Sequence, residues 1–255
     1  MNQQDKTRKE ANHMVELSLH NDDCFKVLPT IPDKSVDLIL IDPPFGIEAD
    51  KLTYSNNRDN SKVIEGYREW TIEEYPTFTE KYIAESYRIL KDNSSMYIIS
   101  GWTNLDYILT TIRESRFTLT NHLIWQYNFP LHTKRKWVSS HYHILYLTKV
   151  KPTFNRFAES EDTKESYHYR NSVIKIPRTY NTGKIRNHNS LPIALVEKLI
   201  KYSSNPGDTV LDCFAGSGTT GEAALSIGRN FIGIEVNQES FKLIQQRLLG
   251  KEIEE

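Results

Sequence analysis

Thr209-Val-Leu-Asp-Cys-Phe-Ala-Gly-Ser-Gly-Thr-Thr-Gly221 is the stretch on which the fold reading turns. Residues 209–214 read as a short apolar strand. Gly216, Gly218 and Gly221 then follow the G-x-G-x-x-G spacing, and 221–227 continues as the body of a helix. Small residues in such a loop let the backbone pass close to a nucleotide, with the amides of the helix start facing it. Residues 231–236 read as the next strand and carry Glu235, seventeen positions after Gly218. An acid there accepts hydrogen bonds from both hydroxyls of a ribose. Strand, loop, helix, strand and acid together mark a nucleotide site. The candidates to line it are Asp212, Phe214, Ala215, Gly216, Ser217, Gly218, Thr219, Thr220 and Glu235.

Asp212 narrows the ligand. A carboxylate immediately before the loop repels a phosphate but holds a cationic group. S-adenosylmethionine has a sulfonium and an α-amino group and no phosphate, so the acid favours a methyl donor over a dinucleotide.

Working outward, strands and helices alternate along the chain. Strands are expected at 15–20, 36–41, 95–100, 122–127 and 141–148, and helices at 75–90, 105–116, 191–202 and 239–249. The run Val36-Asp-Leu-Ile-Leu-Ile41 has the near-continuous apolar pattern of a parallel strand buried on both faces. Such alternation predicts an α/β protein with a doubly wound, mostly parallel sheet. Residues 1–14 read as a disordered tail, 51–70 as a long mobile loop, and 150–190 as irregular. The expected organisation is one domain over 15–255 with 130–190 as an inserted, substrate-facing region.

The 255 residues are 38% hydrophobic and 25% charged, the composition of a soluble globular chain. No apolar run approaches a membrane span, residues 1–14 lack the core of a signal peptide, and two cysteines make no disulfide framework. A cytoplasmic location with no membrane partner is the resulting expectation. The formal net charge of −1 hides an asymmetry: residues 130–190 hold twelve Lys or Arg against four acids, a local charge of +8. A basic segment on an otherwise acidic chain suits a polymer of phosphates that meets one face only.

Ile41-Asp-Pro-Pro-Phe-Gly46 follows the buried strand. An aspartate at the carboxyl end of a parallel strand points into the ligand crevice of an open sheet. Pro43 and Pro44 stiffen the turn and remove two donors, leaving the Pro43 carbonyl facing outward. Phe45 adds a flat apolar face. Two acceptors and a ring suit an exocyclic amino group on a base that stacks.

Asp42-Pro-Pro-Phe45 followed far downstream by Asp212-Cys-Phe-Ala-Gly-Ser-Gly-Thr-Thr220 resembles the amino-group DNA methyltransferases, which modify N6 of adenine or N4 of cytosine. The order of the two motifs resembles the permuted β class, with a Rossmann-like methyltransferase fold. Asp22-Asp-Cys24 and the lead-in Asn205-Pro-Gly-Asp208 are similar to further stretches of that family. The resemblance implies Asp42, Pro43, Pro44 and Phe45 as the catalytic turn and Asp23 as acceptor for the cofactor's adenine amine. It places the target-recognition region between the motifs, in the basic segment, with Lys134, Arg135 and Lys136 contacting DNA. This chain departs from the family pattern in three places. Asp22 stands where the family has glycine, Cys213 where it has proline, and Asn187-His-Asn-Ser-Leu-Pro192 where it has His-Pro-Thr-Gln-Lys-Pro. In that last segment Ser190 is the residue left to offer a hydroxyl to the cofactor's methionine end.

The implied activity is methyl transfer from S-adenosylmethionine to N6 of a flipped-out adenine in double-stranded DNA, with no metal. Cytosine N4 on the same scaffold is the nearest alternative, the opening aspartate favouring adenine. An NAD-dependent dehydrogenase would share the glycine loop but leave the Asp-Pro-Pro-Phe turn unexplained, and an inactive DNA-binding subunit would not need it. RNA as the polymer, a cognate restriction endonuclease and a homodimer are compatible with the resemblance. Of the remaining residues, His132, His141 and His143 read as ordinary or DNA-facing histidines, and Cys213 as a packing residue. Asn171, Arg178, Tyr180 and Asn181 are candidates to reach base edges.

Overall fold

The computed structural model describes residues 15–46, 70–128, 137–155, 171–178 and 190–250. The expected tail at 1–14, all of the expected loop at 51–70 except Trp70, and the basic cluster Lys134, Arg135 and Lys136 lie outside the described residues, as do His132, Tyr180 and Asn181.

Eight strands form one sheet: β1 (Leu17–His20), β2 (Val36–Ile41), β3 (Leu90–Ser100), β4 (Thr118–Gln126), β5 (His141–Thr148), β6 (Val173–Lys175), β7 (Thr209–Asp212) and β8 (Asn230–Ile234). Their order is β1-β8-β7-β2-β3-β5-β4-β6. Every described pairing is parallel except those of β5, which runs antiparallel to both β3 and β4. The helices are α1 (Cys24–Val27), α2 (Tyr75–Ile89), α3 (Leu105–Glu114), α4 (Ile193–Ser203), α5 (Thr219–Ser226) and α6 (Gln238–Leu249).

β2 shows why the sheet is covered on both sides. Its side chains alternate between faces, and Leu38, Ile39, Leu40 and Ile41 are all fully buried. Ile39 and Ile41 join Met96, Ile98, Leu145 and Leu147 in a core completed by α2 and α3, with Phe78, Tyr82, Ile108 and Ile112. Leu38 and Leu40 join Tyr97, Ile99 and Tyr146 in a second core under α4, α5 and α6. Burying each such side chain contributes roughly 1.5–3 kcal/mol, so this strand anchors both layers.

Chain direction then creates the crevice. β2 and β7 are neighbours, with Leu38 opposite Val210 and Ile39 opposite Leu211. The chain leaving β2 leads to α2 on one face, whereas that leaving β7 leads to α5 on the other. The two loops diverge, opening a gap at the carboxyl ends where open α/β sheets bind ligands.

One strand departs from expectation. β6, within the segment expected to be irregular, pairs with β4 through Val173, Ile174 and Lys175. Three residues are too few to show a period of two, and pairing with β4, not an intrinsic pattern, makes them a strand. Both β5 and β6 of the 130–190 segment are therefore parts of the main sheet.

Candidate active site

Asp42 follows β2 directly, and Asp212 ends β7, so sheet register alone brings the two motifs side by side. Asp42 is partly exposed as a residue, yet its Oδ1 is shut off from solvent and has no hydrogen-bond partner among the described residues. Burial, and secondarily the charge of Asp212, push its carboxyl up to about 7, while Arg178 pulls in the opposite direction. A buried carboxylate with an unused acceptor is costly, and a ligand that donates hydrogens removes that cost.

The turn after Asp42 is held from two sides. Asn104 Nδ2 donates to the carbonyls of Phe45 (2.8 Å) and Gly46 (3.0 Å). Asn104 is the N-cap of α3, at φ 59°, and its side chain caps no amide of its own helix. The side chain is spent on the Asp42–Gly46 turn instead, in a left-handed conformation that asparagine tolerates better than most residues. Gly46 has φ 62°, and a Cβ there would meet the Tyr75 ring at 2.6 Å, so the turn closes against the start of α2 only with glycine. Phe45 tilts against Tyr142 of β5 at 5.8 Å between centroids, and Gly101 packs beneath it. Asn104 was not legible in the sequence, because a lone asparagine before a helix reads as an ordinary cap.

The glycine loop is built as its spacing requires. Gly216 and Gly218 have φ 53° and 82°. The nearest atom to a Cβ on Gly216 would be 3.9 Å away, so open space lies in front of the loop. A Cβ on Gly221 would instead meet Leu248 and Phe231 at 2.6 Å, so this glycine serves close packing of α5 on β8 and α6. Glu235 accepts from the amides of Gly216 and Asn237, each at 2.8 Å, one on each oxygen. It thereby ties the loop to the end of β8 and keeps a second lone pair on each oxygen for a ligand. Asp212 accepts from Phe214 N at 3.0 Å and is also bonded by Thr220. Burial raises its carboxyl too, with the charge of Glu235 adding to the effect. A cluster of buried acids at a glycine loop favours a cationic ligand and opposes a phosphate. The site therefore fits the sulfonium and amino groups of S-adenosylmethionine.

Ser190, although distant in sequence, is brought to the loop: its Oγ lies 2.9 Å from that of Ser217. Thr219 accepts from Arg247 of α6 at 2.7 Å, which fixes the start of α5. Asp23 caps α1 by accepting from Phe25 N at 2.9 Å, at the end of β1 and hence beyond β8 along the edge. Phe214 is half-buried, with its ring against Phe78 and Tyr82 of α2. Cys24 and Cys213 are buried, and burial raises both thiols, Cys24 to about 12, so neither is a nucleophile. His122 Nε2 lies 2.8 Å from His143 Nδ1 on the opposite face of β4 and β5 from Tyr142. No group of three or more described His, Cys, Asp or Glu side chains is arranged to hold a metal ion. Asn171 is exposed, whereas Arg178 turns inward over Tyr127.

The model of the N6/N4 DNA methylase family matches residues 36–246. The type II methyltransferase M.HinfI of Haemophilus influenzae is 31% identical over 240 residues, an alignment covering 89% of this chain and 66% of that protein. The DNA adenine methyltransferase YhdJ of Escherichia coli is 34% identical over 249 residues, covering 89% of this chain and 80% of its own length. The M1.HpyAVI complex with S-adenosylmethionine superposes with a TM-score of 0.65 at 25% identity, over 91% of this chain and all of that one. The cytosine-N4-specific PvuII methyltransferase, at 19% identity and TM-score 0.73 over 94% and 88% of the two chains, shares the fold. With most of its length matched, the chain belongs to the N6/N4 DNA methylase family, the S-adenosylmethionine-dependent amino-group DNA methyltransferases.

Proposed function

We propose that this chain methylates N6 of an adenine flipped out of double-stranded DNA. The observation that carries the reading is the unpartnered, buried Oδ1 of Asp42, at the strand end next to β7 and its glycine loop. An exocyclic amine is a weak nucleophile because its lone pair is delocalised into the ring. Asp42 and the Pro43 carbonyl accept its two hydrogens, which favours a pyramidal nitrogen with the lone pair directed outward. Phe45 supplies the stacking face, and the site is reached only by a base that has left the duplex. S-adenosylmethionine, when bound, supplies an electrophilic methyl group on a sulfonium. Gly216, Gly218, Glu235, Asp212, Asp23 and Ser190 hold and orient that cofactor, which makes the transfer effectively intramolecular. The relatives named as adenine methyltransferase and type II methyltransferase support adenine and DNA.

In this reading residues 15–255 form one catalytic domain, and 130–190 carries target recognition with Lys134, Arg135 and Lys136 on phosphates. Among the described residues no helix is long and apolar enough to cross a membrane.

The test is incubation of the purified protein with methyl-labelled S-adenosylmethionine and duplex DNA, followed by digestion to nucleosides. Label in N6-methyladenine is expected. Label in N4-methylcytosine would move the chain to the sister specificity, and labelled RNA with unlabelled DNA would change the substrate.

A further inference from the structure

Arg178 lies three residues beyond β6, delivered to the carboxyl edge of the sheet by the pairing of β6 with β4. Its guanidinium sits 4.1 Å from the centroid of Tyr127, 5.2 Å from Tyr142 and 6.0 Å from Trp125. The three rings form a box: Trp125 stacks on Tyr142 at 5.6 Å, and Tyr127 meets each of the others at 5.6 Å. The box is fixed at its polar ends, because Trp125 Nε1 donates to the Ile176 carbonyl at 2.8 Å and the Tyr127 hydroxyl to that of Ser139 at 3.1 Å. One wall, Tyr142, is also the ring against which Phe45 leans. Arg178 Nε is buried with no hydrogen-bond partner among the described residues, as is Asp42 Oδ1. A planar, permanently charged guanidinium is the group such a box holds best.

We infer that Arg178 is a positioning residue of the methyl-transfer reaction: the aromatic box fixes its guanidinium against rings that adjoin the Asp42–Phe45 turn, so that a permanent positive charge supports the carboxylate that must accept the amine hydrogens. The inference rests on the methyltransferase reading above and adds a residue to it. The charged groups that bear on Asp42 are Asp212 at the end of β7, which disfavours its ionised form, and Arg178, which favours it. Glu235, at the end of β8, bears on Asp212. With burial and Asp212 both opposing its ionised form, Asp42 depends on a cation to stay an ionised acceptor near neutral pH. Because arginine does not titrate in this range, the support it gives is the same at every working pH.

The experiment is single-turnover methylation of duplex DNA across about pH 6 to 9 by the parent, Arg178→Gln and Arg178→Lys, with S-adenosylmethionine and DNA affinities measured alongside. Removing the cation lets Asp42 hold its proton to higher pH. The acid limb of the rate should therefore move upward by about half to one pH unit in Arg178→Gln. It should return toward the parent in Arg178→Lys, with cofactor affinity unchanged in both. Tyr127→Leu, which keeps the charge but removes the nearest wall, should move the limb in the same direction by less. An Arg178→Gln rate reduced equally at every pH, or a loss confined to DNA affinity, would overturn the inference while leaving the reaction intact. A parent protein that labels no adenine would instead remove the reading on which it stands.

Discussion

Asp42 is held in a state that its own fold opposes. Its carboxyl is raised from an ordinary 3.8 to about 7 by burial and by Asp212, so the folded chain binds a proton more tightly than the unfolded chain. Between those two values the folded state takes up protons, and stability falls as pH rises through that window. Asp42→Asn removes this effect. The variant is expected to be more stable than the parent at neutral pH by on the order of a few kcal/mol. The gain should vanish toward pH 4, as measured by denaturant unfolding at several pH values. The same variant is expected to lose methyl transfer by about a hundredfold or more while binding S-adenosylmethionine normally. A stability difference independent of pH would show that the carboxyl is not perturbed as the structure indicates. Glu235 makes the complementary case on the cofactor side. Its two oxygens already hold the amides of Gly216 and Asn237, so Glu235→Gln loosens the loop and weakens ribose binding together. Calorimetry should show S-adenosylmethionine affinity lower by about 10- to 100-fold, the range of one charged hydrogen bond.

At the scale of elements, the Asp42–Gly46 turn depends on the N-terminus of a helix distant from it in sequence. α3 contributes Asn104, whose amide is shared by two carbonyls of the turn. Asn104→Gly keeps the left-handed backbone accessible while deleting both bonds, which separates the loss of hydrogen bonds from strain. The variant is expected to be destabilised by about 1–3 kcal/mol and slowed in transfer, with cofactor affinity unchanged. Loss of cofactor binding in step with activity would assign Asn104 a general structural role. This element also shows where sequence reading ends. The strand and loop at 209–221 were legible because both the apolar run and the glycine spacing are local, and the turn at 41–46 because two prolines and an acid leave few readings. The role of Asn104, the Ser190–Ser217 contact and the box around Arg178 arise from segments that meet only after folding. β6 was invisible because three residues carry no period. Ser190 was reached through family resemblance alone, and the segment leading into α4 carries its Oγ to 2.9 Å from that of Ser217.

For the whole molecule, the strand order sorts the candidate site residues along one edge. Asp23, Glu235 and the glycine loop occupy the β1-β8-β7 side, Asp42 and Phe45 the centre, and Arg178 with its rings the β5-β4-β6 side. The segment 130–190, with its sequence charge of +8, contributes β5 and β6 to that last side. Replacing Lys134, Arg135 and Lys136 together by Ala is expected to weaken binding to all DNA sequences alike. It should also flatten the log–log salt dependence by about one unit per lost phosphate contact. An unchanged slope would make the cluster a surface feature. In the proposed function, strand ends bring a cofactor loop and an amine acceptor together to methylate adenine in DNA. Its most direct test is base-modification sequencing of DNA from a host without its own adenine methylation, expressing either the parent chain or Asp42→Ala. N6-methyladenine at a defined sequence with the parent, and none with the variant, is the result expected. Folded parent protein that leaves the DNA unmodified, or adenine methylation that persists in Asp42→Ala, would contradict the account.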